Sequence, residues 1–167
     1  MIRMLSMSQS QRPRRHTAAV ICLSVLSGSV LAQHAEVSLV DRARGAERVV
    51  VGRVMAVSPV WRINEFGDRL IVSITRVAVD ETLRGPAQPA VEVEIEGGTI
   101  ADLTLRVSDL EPVAPGDRAV FYLTRSARGA LVPHLRGQGL LKLDGADRVR
   151  GSDVRLSDVR RAAAQAR

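Results

Sequence analysis

Residues 91–96 read Val-Glu-Val-Glu-Ile-Glu, and Gly97-Gly98 follow. Unbroken alternation has a period of two, which a helix of 3.6 residues per turn cannot place on one face. As a strand it sets Val91, Val93 and Ile95 on a core face and Glu92, Glu94 and Glu96 on the other. The glutamates read as a cation site, an acidic docking strip or the wet face of a sheet. Along one strand face they are roughly 6.5–7 Å apart, too wide to close on one ion unaided. A hard cation takes about 6–8 oxygens, usually from a folded loop, and no Asp-rich loop of that kind occurs. The wet face is the favoured reading, with Arg76 or Arg106 as cross-strand partner and docking as the lesser use.

The rest of the chain repeats the strand pattern between breakers. Residues 47–57 carry a nearly continuous β-branched run, which predicts burial on both faces, and Gly52 inside it predicts a bend or bulge. Residues 69–83 change apolar phase between Leu70, Val72, Ile74 and Val77, Val79. A bulge near Thr75 and Arg76 would rejoin them on one face. Further strands are expected at 99–107 (one strand or a pair), 118–124, 129–135 and 139–143, with breakers at 84–89 and 108–117. Ser38 can cap a short helix at 39–44 that Gly45 stops. Near the other end Ser157 can cap a helix whose Val159, Ala162, Ala163 and Ala166 share one face. Seven short strands with helices only at the ends predict an all-β fold: a small OB-like barrel or barrel-like sandwich with a short helix at each end.

The order of these segments carries a resemblance. "ERVVVGRV", "VDETLRGPA", Gly97-Gly98, "PGDRAVFYLT" and "GQGLLKL" together resemble a group of uncharacterised exported bacterial proteins. Their barrel is similar to the OB-like fold of netrin modules and tissue inhibitors of metalloproteinases. The likeness covers most of residues 36–145 and implies a fold and a binding role. Those inhibitors chelate a protease zinc through an N-terminal cysteine. Here the expected mature N-terminus is Gln33 and the one cysteine, Cys22, precedes it, so neither that inhibitory residue nor the disulfides carry over.

Residues 1–32 have the layout of a secretory signal: Arg3, Arg12, Arg14 and Arg15 without an acid, an apolar run from Ala18 to Leu31, then Val30 and Ala32 at a small-residue cleavage site. The run is shorter than the roughly 20 residues of a membrane span and is interrupted by Ser and Gly. Arg14-Arg15 also fits a twin-arginine signal, but Thr17 and Ala18 stand where that signal takes bulky apolar residues. The general secretory route is preferred. The expectation is a periplasmic or secreted protein with no membrane span after cleavage. Three regions follow: the signal at 1–32, a β domain at 33–145 and an Arg-rich helical tail at 146–167.

Export reshapes the charge. The whole chain is +6, while residues 33–145 hold 14 basic and 15 acidic residues. The basic excess therefore belongs to the signal and the tail, and it argues little for nucleic acid. Binding single strands also needs stacking aromatics on a basic face, and only Trp61, Phe66, Phe121 and Tyr122 exist. No nucleic acid is expected as partner. His34 and His134 are the histidines left after cleavage, and no H-E-x-x-H occurs, so no metal site or cofactor is expected. No G-x-S-x-G elbow is present, and "GQG" at 137–139 lacks the Lys-Ser/Thr ending of a phosphate loop. The chain is not expected to be an enzyme.

What stands out is Trp61 and Phe66 flanking a polar tip within the 58–68 connection. Trp61, Arg62, Asn64, Glu65, Phe66 and Asp68 are the candidate binding residues, since aromatic anchors on a loop suit an interface. The competing reading has Trp61 covering one end of the fold and Phe66 packed on it. The expected function is an exported, non-enzymatic binding or inhibitor-like module. Its partner would be a protein of the cell envelope or an exported protease. The alternative is a structural envelope component held through its C-terminal helix.

Overall fold

The computed structural model describes residues 37–64 and 66–166. The segment expected to be a signal (residues 1–32, with Cys22), Gln33, His34 and Glu65 lie outside the described residues.

Helix α1 (Leu39–Gly45) begins at Ser38, whose Oγ accepts from the Asp41 amide at 3.1 Å, as the cap predicts. Two 16-residue strands follow, β1 (Arg48–Ile63) and β2 (Arg69–Arg84), then β3 (Ala90–Glu96). The segment at 99–107 becomes a separate hairpin, β4 (Gly98–Ile100) and β5 (Leu103–Leu105). Then come β6 (Arg118–Arg125), β7 (Leu131–Pro133), a 3-10 turn (Arg136–Gly139), β8 (Leu140–Lys142) and helix α2 (Leu156–Gln165).

The main sheet is ordered β3-β2-β1-β6-β7, with β8 also on β6 and every pair antiparallel. The all-β class with a helix at each end is thus observed. The sheet is open: among the described residues no backbone ladder joins β3 to β7. A closed OB-like barrel is not formed; the arrangement is sandwich-like, with β3 packed against β1 and β6 across one core, and the β4-β5 hairpin is a separate two-stranded sheet.

Two cores lie on opposite faces of β1 and β6. Val49 and Val51 join Val120 and Tyr122 beneath the helices, with Leu156, Val159 and Ala163 from α2. Val50 and Val54 join Phe121 and Leu123 on the other face, against Val91, Val93 and Ile95 of β3. This explains the continuous valines of β1, which are buried on both sides. The alternation of β3 also holds: its apolar residues are buried and Glu92 and Glu96 are exposed. At about 1.5–3 kcal/mol per fully buried aliphatic side chain, these three residues anchor the sheet edge.

The predicted bulge in β2 at Thr75 and Arg76 is not there. Register shifts fall at Met55 in β1, which faces that point, and at Asp80 and Leu83 in β2. The two apolar registers of β2 are therefore not rejoined. Val77, Thr75 and Ser73 stay on the inner face, while Val72, opposite Glu96, is buried on the other.

Helix α2 starts one residue before the expected cap: Arg155 precedes it, and its amide donates to Asp158 Oδ2 at 3.0 Å. Leu156 is fully buried and thus belongs to the helix's apolar face with Val159, Ala162, Ala163 and Ala166. That face packs into the same core as α1 and the sheet.

The chain's single lysine, Lys142, is buried on β8. Its ammonium lies 2.9 Å from Asp117 and 3.1 Å from Glu111, and it donates to the Pro112 carbonyl at 2.7 Å. These contacts fasten the proline-containing loop before β6. Lysine here is a structural choice, since a compact three-donor head serves three acceptors at once. Gly137, in the 3-10 turn, is required by close approach: a Cβ there would sit 1.5 Å from the Asp109 carbonyl oxygen.

Candidate functional site

The 58–68 connection is mostly strand. β1 runs to Ile63 and β2 starts at Arg69, which leaves a short connection between them. Trp61 and Arg62 are therefore strand residues, and they project to opposite faces. Trp61 is half-buried opposite Ile71, and the Arg69 guanidinium lies 4.2 Å from its ring centroid. Arg62 turns to the glutamate face, with Nη2 3.4 Å from Glu94.

The turn is organised by Asn64. Its Oδ1 accepts from the amides of Phe66 (3.0 Å) and Asp68 (2.8 Å), and its Nδ2 donates to Asp68 Oδ2 at 3.1 Å. The Asn64 amide donates to the Asp68 carbonyl at 2.9 Å, and Gly67 takes a φ of 87°. An asparagine side chain that mimics backbone in this way holds a turn at little entropic cost. Phe66 does not pack on Trp61. It is 81% exposed, and Ile63 beside it is 64% exposed.

Next to this tip lies a groove of about 560 Å³, with Leu70, Val72 and Val132 among its apolar walls. Glu94 and Glu96 form its polar side. Glu94 has a side chain only 16% exposed and is met by Arg62 and by Arg128, 3.7 Å away. Arg128 also donates through Nη1 to the Ile63 carbonyl, tying the β6-β7 turn to the end of β1. Arg136 lies 3.3 Å from Glu96 and 2.8 Å from Asp109. Burial opposes protonated Arg136, but its hydrogen bond to Asp109, the leading influence, and the nearby carboxylates raise its pKa overall. Two of the three glutamates of the strip are thus paired, Glu94 with Arg62 and Arg128 and Glu96 with Arg136. The expected Arg76 stands across from Glu92 in register but makes no ion pair with it, and Arg106 is not a partner.

The structure gathers Asn64, Phe66 and Asp68 at one tip, with Arg62 on the glutamate face nearby, paired with Glu94; Trp61 faces away. Glu65 lies outside the described residues. Sequence reasoning missed Ile63 and Arg128. An apolar residue just before an Asn turn was a readable signal for Ile63; nothing local marked Arg128, which comes from a distant hairpin.

Titratable groups elsewhere sit in structural roles. The Tyr122 hydroxyl is buried without a hydrogen-bond partner, and burial pushes its pKa up to about 12. The His134 ring packs on Gly45, where a Cβ would come within 2.4 Å of Nε2, and burial lowers its pKa. Among the described residues no three His, Cys, Asp or Glu side chains gather as metal ligands, and no helix is long and apolar enough to cross a membrane.

No protein-family model matches the chain, and no curated protein matches it significantly.

Proposed function

We propose that the protein is an exported, non-enzymatic binding module that grips a protein partner through the β1-β2 rim. The observation that carries this reading is an apolar pair, Ile63 and Phe66, held out on a turn that Asn64 fixes. A rigid turn loses little freedom on binding, so its exposed aromatic can act as an anchor. The neighbouring groove offers apolar wall and paired charge, the usual mixture of an interface core and its rim. The signal-like start favours an envelope protein or exported protease as partner, and the likeness to the metalloproteinase-inhibitor fold leans the same way without its cysteine.

The alternative, anchoring through the C-terminal helix, has less to support it. The apolar face of α2 is occupied by the core, and Arg160 and Arg161 are engaged with Glu81 and Asp158. The test is capture from cell-envelope extract on immobilised protein. Phe66→Ser should keep the melting temperature and lose the captured partner. A folded variant that captures the same partner excludes the rim.

A further inference from the structure

A second groove, of about 700 Å³, opens along the edge of β3 toward the β6-β7 turn. Arg48, Arg62, Arg76 and Arg125 line it, with Glu92 and Glu94. Two of the arginines are committed. Arg62 meets Glu94, and Arg125 meets Glu47 at 3.0 Å and donates to the Gly129 carbonyl. Arg76 and Glu92 stand opposite each other in register on β2 and β3 without an ion pair, one charge of each sign.

Arg48 is different. It is 6% exposed and makes no ion pair with any described residue. Its Nη1 donates to Gln88 Oε1 at 2.6 Å, and its Nε has no acceptor. Burying a guanidinium without a counter-charge is costly, and a neutral amide answers only one of its five donors. A site with an uncompensated buried cation on the wall of an open groove has the electrostatics of an anion site. Glu92 and Glu94 nearby disfavour a doubly charged ligand. Nε is sealed from solvent and Nη1 is held by Gln88, so Nη2 is the nitrogen left for a ligand, and a singly charged carboxylate matches the one unbalanced charge through one charge-assisted hydrogen bond.

We infer that this groove binds a carboxylate through Arg48. The inference does not depend on the rim. Carboxylates at peptide C-termini and on small organic acids share this chemistry, and acetate is the probe common to both.

The test uses the full chain labelled with ¹⁵N. A buried Nε–H exchanges slowly enough to be followed, and loss of the signal in Arg48→Lys identifies it. Adding sodium acetate at constant ionic strength should move the Arg48 Nε–H resonance along a saturating curve, while exposed Arg161 stays in place. Equal volumes of sodium chloride should leave it unmoved. Titrating acetate against an acetyl-alanine carboxylate and its amide separates the sources: tighter binding of the peptide-like acid points to a chain terminus, equal binding to small acids. No acetate response, or an equal response to chloride, overturns the inference. A larger response to phosphate than to acetate overturns the choice of carboxylate. Arg48→Met should in addition lose any acetate-dependent rise in melting temperature; if that variant fails to fold, the wild-type titration still decides.

Discussion

At the residue scale, β3 shows what alternation does and does not reveal. Val93 is fully buried and Thr75 stands opposite it in register. A carboxylate at 93 would have no partner, so Val93→Asp should cost several kcal/mol, enough to unfold a domain whose net stability is about 5–15 kcal/mol. Glu94 faces the other way, yet it is mostly covered by Arg62 and Arg128. Removing it frees two half-exposed arginines that can turn to water, so Glu94→Ala should cost only about 1 kcal/mol. Urea unfolding of the two variants measures both. Similar effects would mean that the strand is not half-buried. The alternation gave the direction of every side chain in β3 from sequence. It could not give the partners of the glutamates, because those arginines come from β1, the β6-β7 turn and the 3-10 turn, which only the folded sheet brings together.

At the scale of elements, periodicity placed the strands and helices well and the connections poorly. The helix at 39–44 was readable because cap and stop are local chemistry, and α2 because four small or branched residues share a face. At 58–63 Pro59 and mixed polarity obscure the strand pattern and predict a connection; pairing with β2 overrides that local preference. The role of Lys142 was equally unreadable, since its partners Glu111 and Asp117 lie 31 and 25 positions away. This node makes a pH prediction. Burial works to raise the Asp117 pKa, but the hydrogen bond from Lys142, the Ala114 amide and the charges of Lys142 and Arg150 together lower it below its usual value. A depressed folded pKa contributes stability above the ordinary aspartate pKa of about 3.9, and that stability is lost as pH falls through the lowered value. Asp117→Asn should therefore be destabilising at pH 7, with the difference from wild type shrinking below about pH 4 in acid-titrated melts. A constant difference across that range would remove Asp117 from the linkage. His134, whose pKa burial also lowers, adds a separate loss of stability as pH drops below about 6.5, common to both proteins.

At the scale of the whole molecule, the all-β class followed from the number and spacing of strand segments, but closure did not, because whether β3 meets β7 depends on how far β1 and β2 coil. The bulges at Met55, Asp80 and Leu83 set that coiling. The consequence is a molecule whose cores lie around β1, β6 and α2, while the β1-β2 tip projects beyond them with Ile63 and Phe66 uncovered. The central claim is that this tip, and not the C-terminal helix, meets the partner. A photo-crosslinking side chain placed at position 66 and, separately, at position 161 on the exposed face of α2 tests it in living cells. The account predicts a discrete adduct from position 66 and none from position 161. Adducts from position 161 alone would contradict it and assign the interface to the helix.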